Sequence, residues 1–256
     1  MAMLSKTIRE IISLFLILLM LSLHGHSQSQ YSPDYLAVSD ILSNTFWIQT
    51  DTGTATAFII KYREGEYLIT AKHVFKKNDE GKSKISIKIN INMRWKEFSA
   101  KIYFHEKSNI DVAVLKLNTT LSSIQPLDLM VRGISIGESC AFFGFPYGIF
   151  TNGGDRVYAF VKRAYISSFS GPIIFLDGMN NPGFSGGPVV VWDPIAKKPK
   201  IFGVISGYYP QTNEMDLTIT QKKERIKYVE NSGIIYSYSI GHATEIIDKL
   251  EKGEKK

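Results

Sequence analysis

Cysteine is almost absent: the 256-residue chain has one, Cys140. A single cysteine excludes any intramolecular disulfide, so stability must come from a core rather than from covalent staples. It also excludes cysteine-rich zinc sites, and neither H-E-x-x-H nor a His/Cys cluster offers another, so no metal or other cofactor is expected. Cys140 itself lies in the apolar run S-C-A-F-F-G-F, where a buried, inert thiol is the better reading than a nucleophile. There is no internal repeat of fixed period and no low-complexity tract. Histidine is scarce, at five residues, which leaves few candidates for a general base.

A strong charge imbalance is missing as well. Thirty Lys and Arg stand against 24 Asp and Glu, a net charge of +6, with the surplus in residues 76–101, 197–200 and 249–256. None of these stretches interleaves aromatics with basic residues as a stacking surface for single-stranded nucleic acid would. They read as solvated faces, and no nucleic-acid partner is expected.

At the N-terminus, Lys6 and Arg9 precede an apolar run over residues 11–23, followed by small and polar residues to position 30. The run is shorter than the about 20 residues of a bilayer-spanning helix. Charged start, apolar middle and small-residue exit together predict a secretory signal peptide over residues 1–29, cleaved near 27–29. The mature chain is then 30–256, secreted or periplasmic, with no stable membrane insertion after cleavage. An uncleaved anchor is the alternative. Export without disulfides points to a bacterial route.

The mature part reads as strands. Short β-branched or aromatic runs at 46–50, 54–61 and 66–70 are separated by Asp51-Thr52-Gly53 and Arg63-Glu64-Gly65, which are turn signals. Residues 84–93 alternate, with Ile85, Ile87, Ile89 and Ile91 on one face. Further strands are expected at 98–105, 112–117, 139–143, 157–166, 173–176, 189–192, 201–206 and 233–239. Spacings near ten residues predict an all-β sandwich or barrel. Residues 31–44 suit a short helix, and Ala243, Ile246, Ile247 and Leu250 form one face of a C-terminal helix. Two strand-rich halves result, about 45–117 and about 134–251, with a connector at 118–133.

Three motifs carry chemistry. Residues 180–191 read N-N-P-G-F-S-G-G-P-V-V-V, with Ser185 among glycines that can turn backbone N–H groups inward before an apolar strand. His73 ends L-I-T-A-K-H-V at the border of a polar loop. Asp111, in N-I-D-V-A-V-L-K, precedes an apolar run and must be paired if it is buried. Each motif alone has a bland reading: a turn serine, a loop histidine, a strand-edge aspartate.

Taken together and in this order, the motifs resemble the signatures of chymotrypsin-fold (trypsin-like) serine proteases, above all the bacterial Deg-type and glutamyl-endopeptidase-like branches. The resemblance implies two six-stranded antiparallel β-barrels with the site between them. It implies Ser185 as nucleophile, His73 as general base and acid, and Asp111 as the residue that orients the imidazole. The N–H groups of Gly183 and Ser185 would form the oxyanion hole. Met179 would lie at the base of the specificity pocket, and Ser206 and Gly207 on its wall. With no carboxylate there, a medium apolar or small substrate side chain is expected. A pocket containing His242 and favouring acidic side chains is the alternative, against His242 as a simple helix-start residue.

The departures are also informative. Phe184 stands where the digestive branch has the aspartate that pairs with a freshly cut N-terminus, so that activation switch should be absent. Phe184 also bears on the resting shape of the oxyanion loop. Deg-type proteases continue into a peptide-binding PDZ domain, and none is expected before Lys256. The sequence therefore predicts an exported serine endopeptidase acting on a protein or peptide substrate. The alternative is a catalytically inactive protease-fold binding protein. An α/β-hydrolase elbow is disfavoured, because Pro188 and Val189 to Val191 put a strand, not a helix, after the serine.

Overall fold

The structure, a computed structural model, describes residues 34–79, 82, 84–121, 127–154, 156–219 and 222–254. The predicted signal peptide, residues 1–29, lies outside them. Among the described residues no helix is long and apolar enough to cross a membrane.

Helix α1 (Asp34–Ser43) leads into six strands: β1 (Thr45–Thr50), β2 (Gly53–Tyr62), β3 (Gly65–Thr70), β4 (Ile85–Ile91), β5 (Arg94–Phe104) and β6 (Ala113–Leu117). They close antiparallel into a barrel in the order β1-β2-β3-β6-β5-β4. The alternation of residues 84–93 does what its period requires: Ile87 and Ile89 are buried inside, while Ser86 and Lys88 face out. Asn92 and Met93 both have positive φ, and they form the two-residue turn that joins β4 to β5.

The second half supplies β7 (Ser139–Gly144), β8 (Thr151–Gly153), β9 (Arg156–Tyr158), β10 (Phe160–Ser170), β11 (Ile173–Asp177), β12 (Pro188–Asp193), β13 (Lys198–Ile219) and β14 (Lys222–Ser239), then helix α2 (Gly241–Glu254). Six of these strands close a second barrel, in the order β10-β11-β14-β13-β12-β7. The fold is chymotrypsin-like, two six-stranded barrels and a C-terminal helix.

Three apolar layers hold it. Ile48, Ile59, Leu68, Ile87, Ile89 and Leu115 fill the first barrel. Phe142, Leu176, Phe184, Val189, Phe202 and Ile235 fill the second. Between them, Phe58 and Ile69 from one half meet Phe143, Phe145, Val190 and Val204 from the other, with Ile246 and Ile247 of α2 in the same cluster. This shared layer sets the barrels against each other, and the motif residues emerge at its edge.

Two expectations need correction. The strand expected at 157–166 is broken at buried Ala159. Residues Arg156–Tyr158 pair with Thr151–Gly153 in a separate two-stranded sheet, and β10 begins only at Phe160. The strands expected at 201–206 and 233–239 are the barrel ends of a much longer hairpin, paired from Gly203↔Ser239 out to Ile219↔Lys222. Its outer part alternates apolar and polar residues over 213–219, but it buries no face: Met215 and its cross-strand partner Ile226 are both exposed. Cross-strand charge pairs, Lys227–Glu214 and Arg225–Asp216, take the place of a buried face.

Candidate active site

His73 lies in a single 3-10 turn, Lys72–Val74, directly after β3. Asp111 sits just before β6, and Ser185 in the loop before β12. The cleft between the barrels brings the three together. Asp111 Oδ1 accepts the backbone N–H of His73 at 2.8 Å, and its Oδ2 lies 2.7 Å from His73 Nδ1. An ionised carboxylate only accepts, so Nδ1 must carry the proton. The lone pair is thereby left on Nε2, which faces Ser185 Oγ at 3.1 Å. The Asp111 side chain is mostly buried, whereas His73 is half exposed toward the cleft.

Burial alone would raise the Asp111 pKa. The hydrogen bond and charge of His73, with a bond from Ser206, outweigh it and hold the carboxyl below its ordinary value. The Ser206 hydroxyl donates to Asp111 Oδ2 at 2.5 Å, and the Ser206 carbonyl lies 3.0 Å from Ser185 Oγ. The Ser185 hydroxyl has one proton and two acceptors, His73 Nε2 and the Ser206 carbonyl. The hydroxyl and carbonyl of Ser206, the residue expected on the pocket wall, bond to Asp111 and Ser185. Gly207 follows it on β13, with open space where a Cβ would stand.

The loop before Ser185 is shaped by its carbonyls. Pro182 O accepts Tyr147 N–H at 2.8 Å, and Phe184 O accepts Gly187 N–H at 2.8 Å. In a trans peptide the N–H points opposite to the C=O, and the chain has no cis peptide among its described residues. The N–H groups of Gly183 and Ser185 are therefore turned away from Tyr147 and Gly187. Neither has a hydrogen-bond partner among the described residues. Two free donors beside the Ser185 hydroxyl are placed as an oxyanion hole would require. Gly183 has φ +103, and a Cβ there would lie 2.2 Å from Phe145 O, so only glycine fits.

Phe184 does not distort this loop. It is fully buried in the second barrel, edge-on to Phe142 with ring centroids 5.0 Å apart. An apolar anchor stands where the digestive branch places a charge. Met179 is more than half exposed, and its carbonyl accepts Lys162 Nζ at 2.8 Å.

His242 bonds away from this loop, as the helix-start reading requires. It is the second residue of α2, with Nδ1 3.3 Å from Glu245 Oε2. The same oxygen is 2.8 Å from His105 Nε2. Lys107 N–H donates to His105 Nδ1, so Nε2 carries the His105 proton. The three groups are thus set for a hydrogen bond, with no lone pair on Nε2 for a metal ion.

Several residues at the site left no sequence signal. Thr56, on β2, donates to Gly183 O at 2.7 Å and accepts Phe145 N–H at 3.2 Å, while its backbone N–H donates to Ser185 O. It bolts the Ser185 loop to the opposite barrel. Tyr147 and Lys162 act on the same loop. The only available hint was Gly144-Phe145-Pro146-Tyr147-Gly148, a second glycine- and proline-containing turn.

The sequence matches the trypsin-like peptidase domain family over residues 55–193. No curated protein matches it. Among solved structures it resembles an HtrA-type protease, a serine-to-alanine variant of AlgW with a tripeptide, at 21% identity and a TM-score of 0.55. That match covers 84% of this chain and 62% of the other, so the chain spans less than two thirds of the AlgW length. It also resembles the Rv3671c protease in an inactive form, at 16% identity and a TM-score of 0.53, over 87% of this chain and 95% of that one. An inactive-form mutant of Rv3671c from M. tuberculosis H37Rv matches at 15% identity and a TM-score of 0.51, over 88% and 94%. At such identities the structures speak to the fold. The family match covers more than half of the sequence, and with it the chain belongs to the trypsin-like peptidase family.

Proposed function

We propose that the chain is an exported serine endopeptidase that cleaves protein or peptide substrates through an acyl-enzyme. The observation that carries this reading is the unbroken line of hydrogen bonds from Asp111 through His73 to Ser185 Oγ. Ser185 Oγ attacks the scissile carbonyl carbon as His73 Nε2 takes its proton. Asp111 holds the ring and stabilises the imidazolium. The carbonyl oxygen, now negative, sits on the N–H groups of Gly183 and Ser185. Collapse breaks the C–N bond, and His73 returns the proton to the leaving amine. Water, deprotonated by the same imidazole, then frees the acyl group and restores Ser185.

The substrate side chain before the cut is proposed to be small or medium apolar, because Met179 and Ser206 line that region without a free carboxylate. The Lys162 ammonium near Met179 is already engaged by the loop. Export rests on the signal-like residues 1–29. The test is cleavage of a peptide library by the full-length protein and by Ser185→Ala. Cuts after small or apolar residues, lost in the variant, are expected. Strong cleavage after Arg would contradict the pocket assignment, and cleavage by Ser185→Ala would contradict the mechanism. N-terminal sequencing of the exported protein should read from residue 28, 29 or 30.

A further inference from the structure

Lys162 is an inward-facing cation with no anionic partner among the described residues. It lies on β10, on the same face as buried Ala164 and Ile166, while Val161, Arg163 and Tyr165 point to solvent. Among the described residues no carboxylate pairs with it. Its ammonium donates to the Met179 carbonyl at 2.8 Å and to the Asn181 side-chain carbonyl, and it stands 5.4 Å over the Phe184 ring. Burial lowers the ammonium's pKa from the ordinary lysine value. An unpaired, partly desolvated charge is retained on a barrel's inner face only when its local partners compensate.

Those partners all belong to one segment. Residues 179–184 run from the expected pocket base to the residue before the nucleophile, and include oxyanion donor Gly183. Asn181 is the hub. Its carbonyl accepts Phe184 N–H, its backbone N–H donates to Asn180 Oδ1, and its side-chain NH₂ lies 3.3 Å from the Tyr147 hydroxyl. On the other side, the Asn231 side chain donates to the Asn180 carbonyl. The segment is held from Tyr147, from Asn231, from Thr56 and from Lys162, and of these only Lys162 brings a charge.

We propose that Lys162 is a positioning residue for the oxyanion hole: an internal cation that locks residues 179–184 in their catalytic shape. Ammonium, carbonyl and ring come from one chain and are in place once it folds. No cleavage is required to create the cation. This proposal rests on the serine-protease reading, and its test separates the two.

The full-length protein would be compared with Lys162→Met, which keeps an unbranched, apolar side chain of similar length, and with Lys162→Arg. Amide hydrogen exchange over residues 173–187 reads the lock without reference to catalysis. The rate of covalent labelling by a fluorophosphonate reads the hole. In Lys162→Met, both exchange of residues 179–184 and the fall in labelling rate should reach about tenfold, the effect of losing a charged hydrogen bond. Melting temperature should stay close to wild type. Lys162→Arg should recover most of both. Exchange in Lys162→Met equal to wild type would overturn the proposal. So would equal defects in the Met and Arg variants, which would mean that volume rather than charge matters. Failure of the wild type to label would sink the serine-protease reading instead, and the exchange comparison would still decide whether Lys162 holds the segment.

Discussion

The Ser206 hydroxyl lies 2.5 Å from Asp111 Oδ2, the oxygen that also receives the His73 ring. Asp111 therefore has three donors, counting the His73 backbone N–H on its other oxygen. Each donor fixes the carboxylate in one orientation, and the carboxylate fixes the imidazole tautomer. Replacing Asp111 by Asn presents an NH₂ or a weaker acceptor to Nδ1, and should lower kcat by about 10³- to 10⁴-fold. Ser206→Ala removes one of three donors and should lower kcat by about three- to tenfold. Steady-state kinetics on one peptide substrate checks both. Equal losses in the two variants would contradict this ranking.

The same carboxylate predicts an acid response. Its pKa is held below the ordinary value in the folded chain, so its contribution to stability is complete above the unfolded pKa, about 4 for Asp. The contribution is lost as pH falls through the lower, folded value. Wild type should thus lose stability faster than Asp111→Asn below about pH 4. Urea unfolding of both from pH 7 down to pH 3 measures the difference. Parallel curves would contradict the assignment.

Thr56 couples the barrels to the Ser185 loop. Thr56→Val keeps the volume but leaves Gly183 O and Phe145 N–H without their side-chain partner. Destabilisation of about 1–3 kcal/mol is expected for such buried groups, together with slower fluorophosphonate labelling. Unfolding midpoints and labelling rates measured side by side check this. A variant as stable and as reactive as wild type would show that the bolt does nothing.

Cys140 is buried on β7, and burial foremost, with Glu138 adding to it, pushes its thiol up to about 12. At pH 8 the thiolate fraction is negligible and the sulfur is shielded. A disulfide reagent such as dithionitrobenzoate should leave the native protein untouched and titrate its one thiol in denaturant. Rapid reaction in the native state would contradict the packing of the second barrel.

How much of this could be read in advance follows from the kind of signal each part leaves. The barrel strands were legible where one face is buried, as in Ile85 to Ile91, because period-two burial writes itself into residue type. The outer half of the β13–β14 hairpin interleaves exposed apolar residues, such as Met215 and Ile226, with cross-strand charges, and with no buried face to mark it, it was missed. The motifs around His73, Asp111 and Ser185 were legible because each loop needs glycine, a short polar residue or a β-branched run beside it. Thr56 was not, since a threonine within a strand looks ordinary and its partner, Gly183, is 127 residues away. Lys162 was hidden for the same reason. In sequence it reads as one more basic residue, and only the β10 face shows that it points inward.

The measurement that bears most directly on the central claim is fluorophosphonate labelling of the full-length protein, with the modified residue located by peptide mass spectrometry. The account predicts one label per chain, on Ser185, abolished in Ser185→Ala and in His73→Ala. A folded wild type that takes no label, or a label that survives Ser185→Ala, would contradict it.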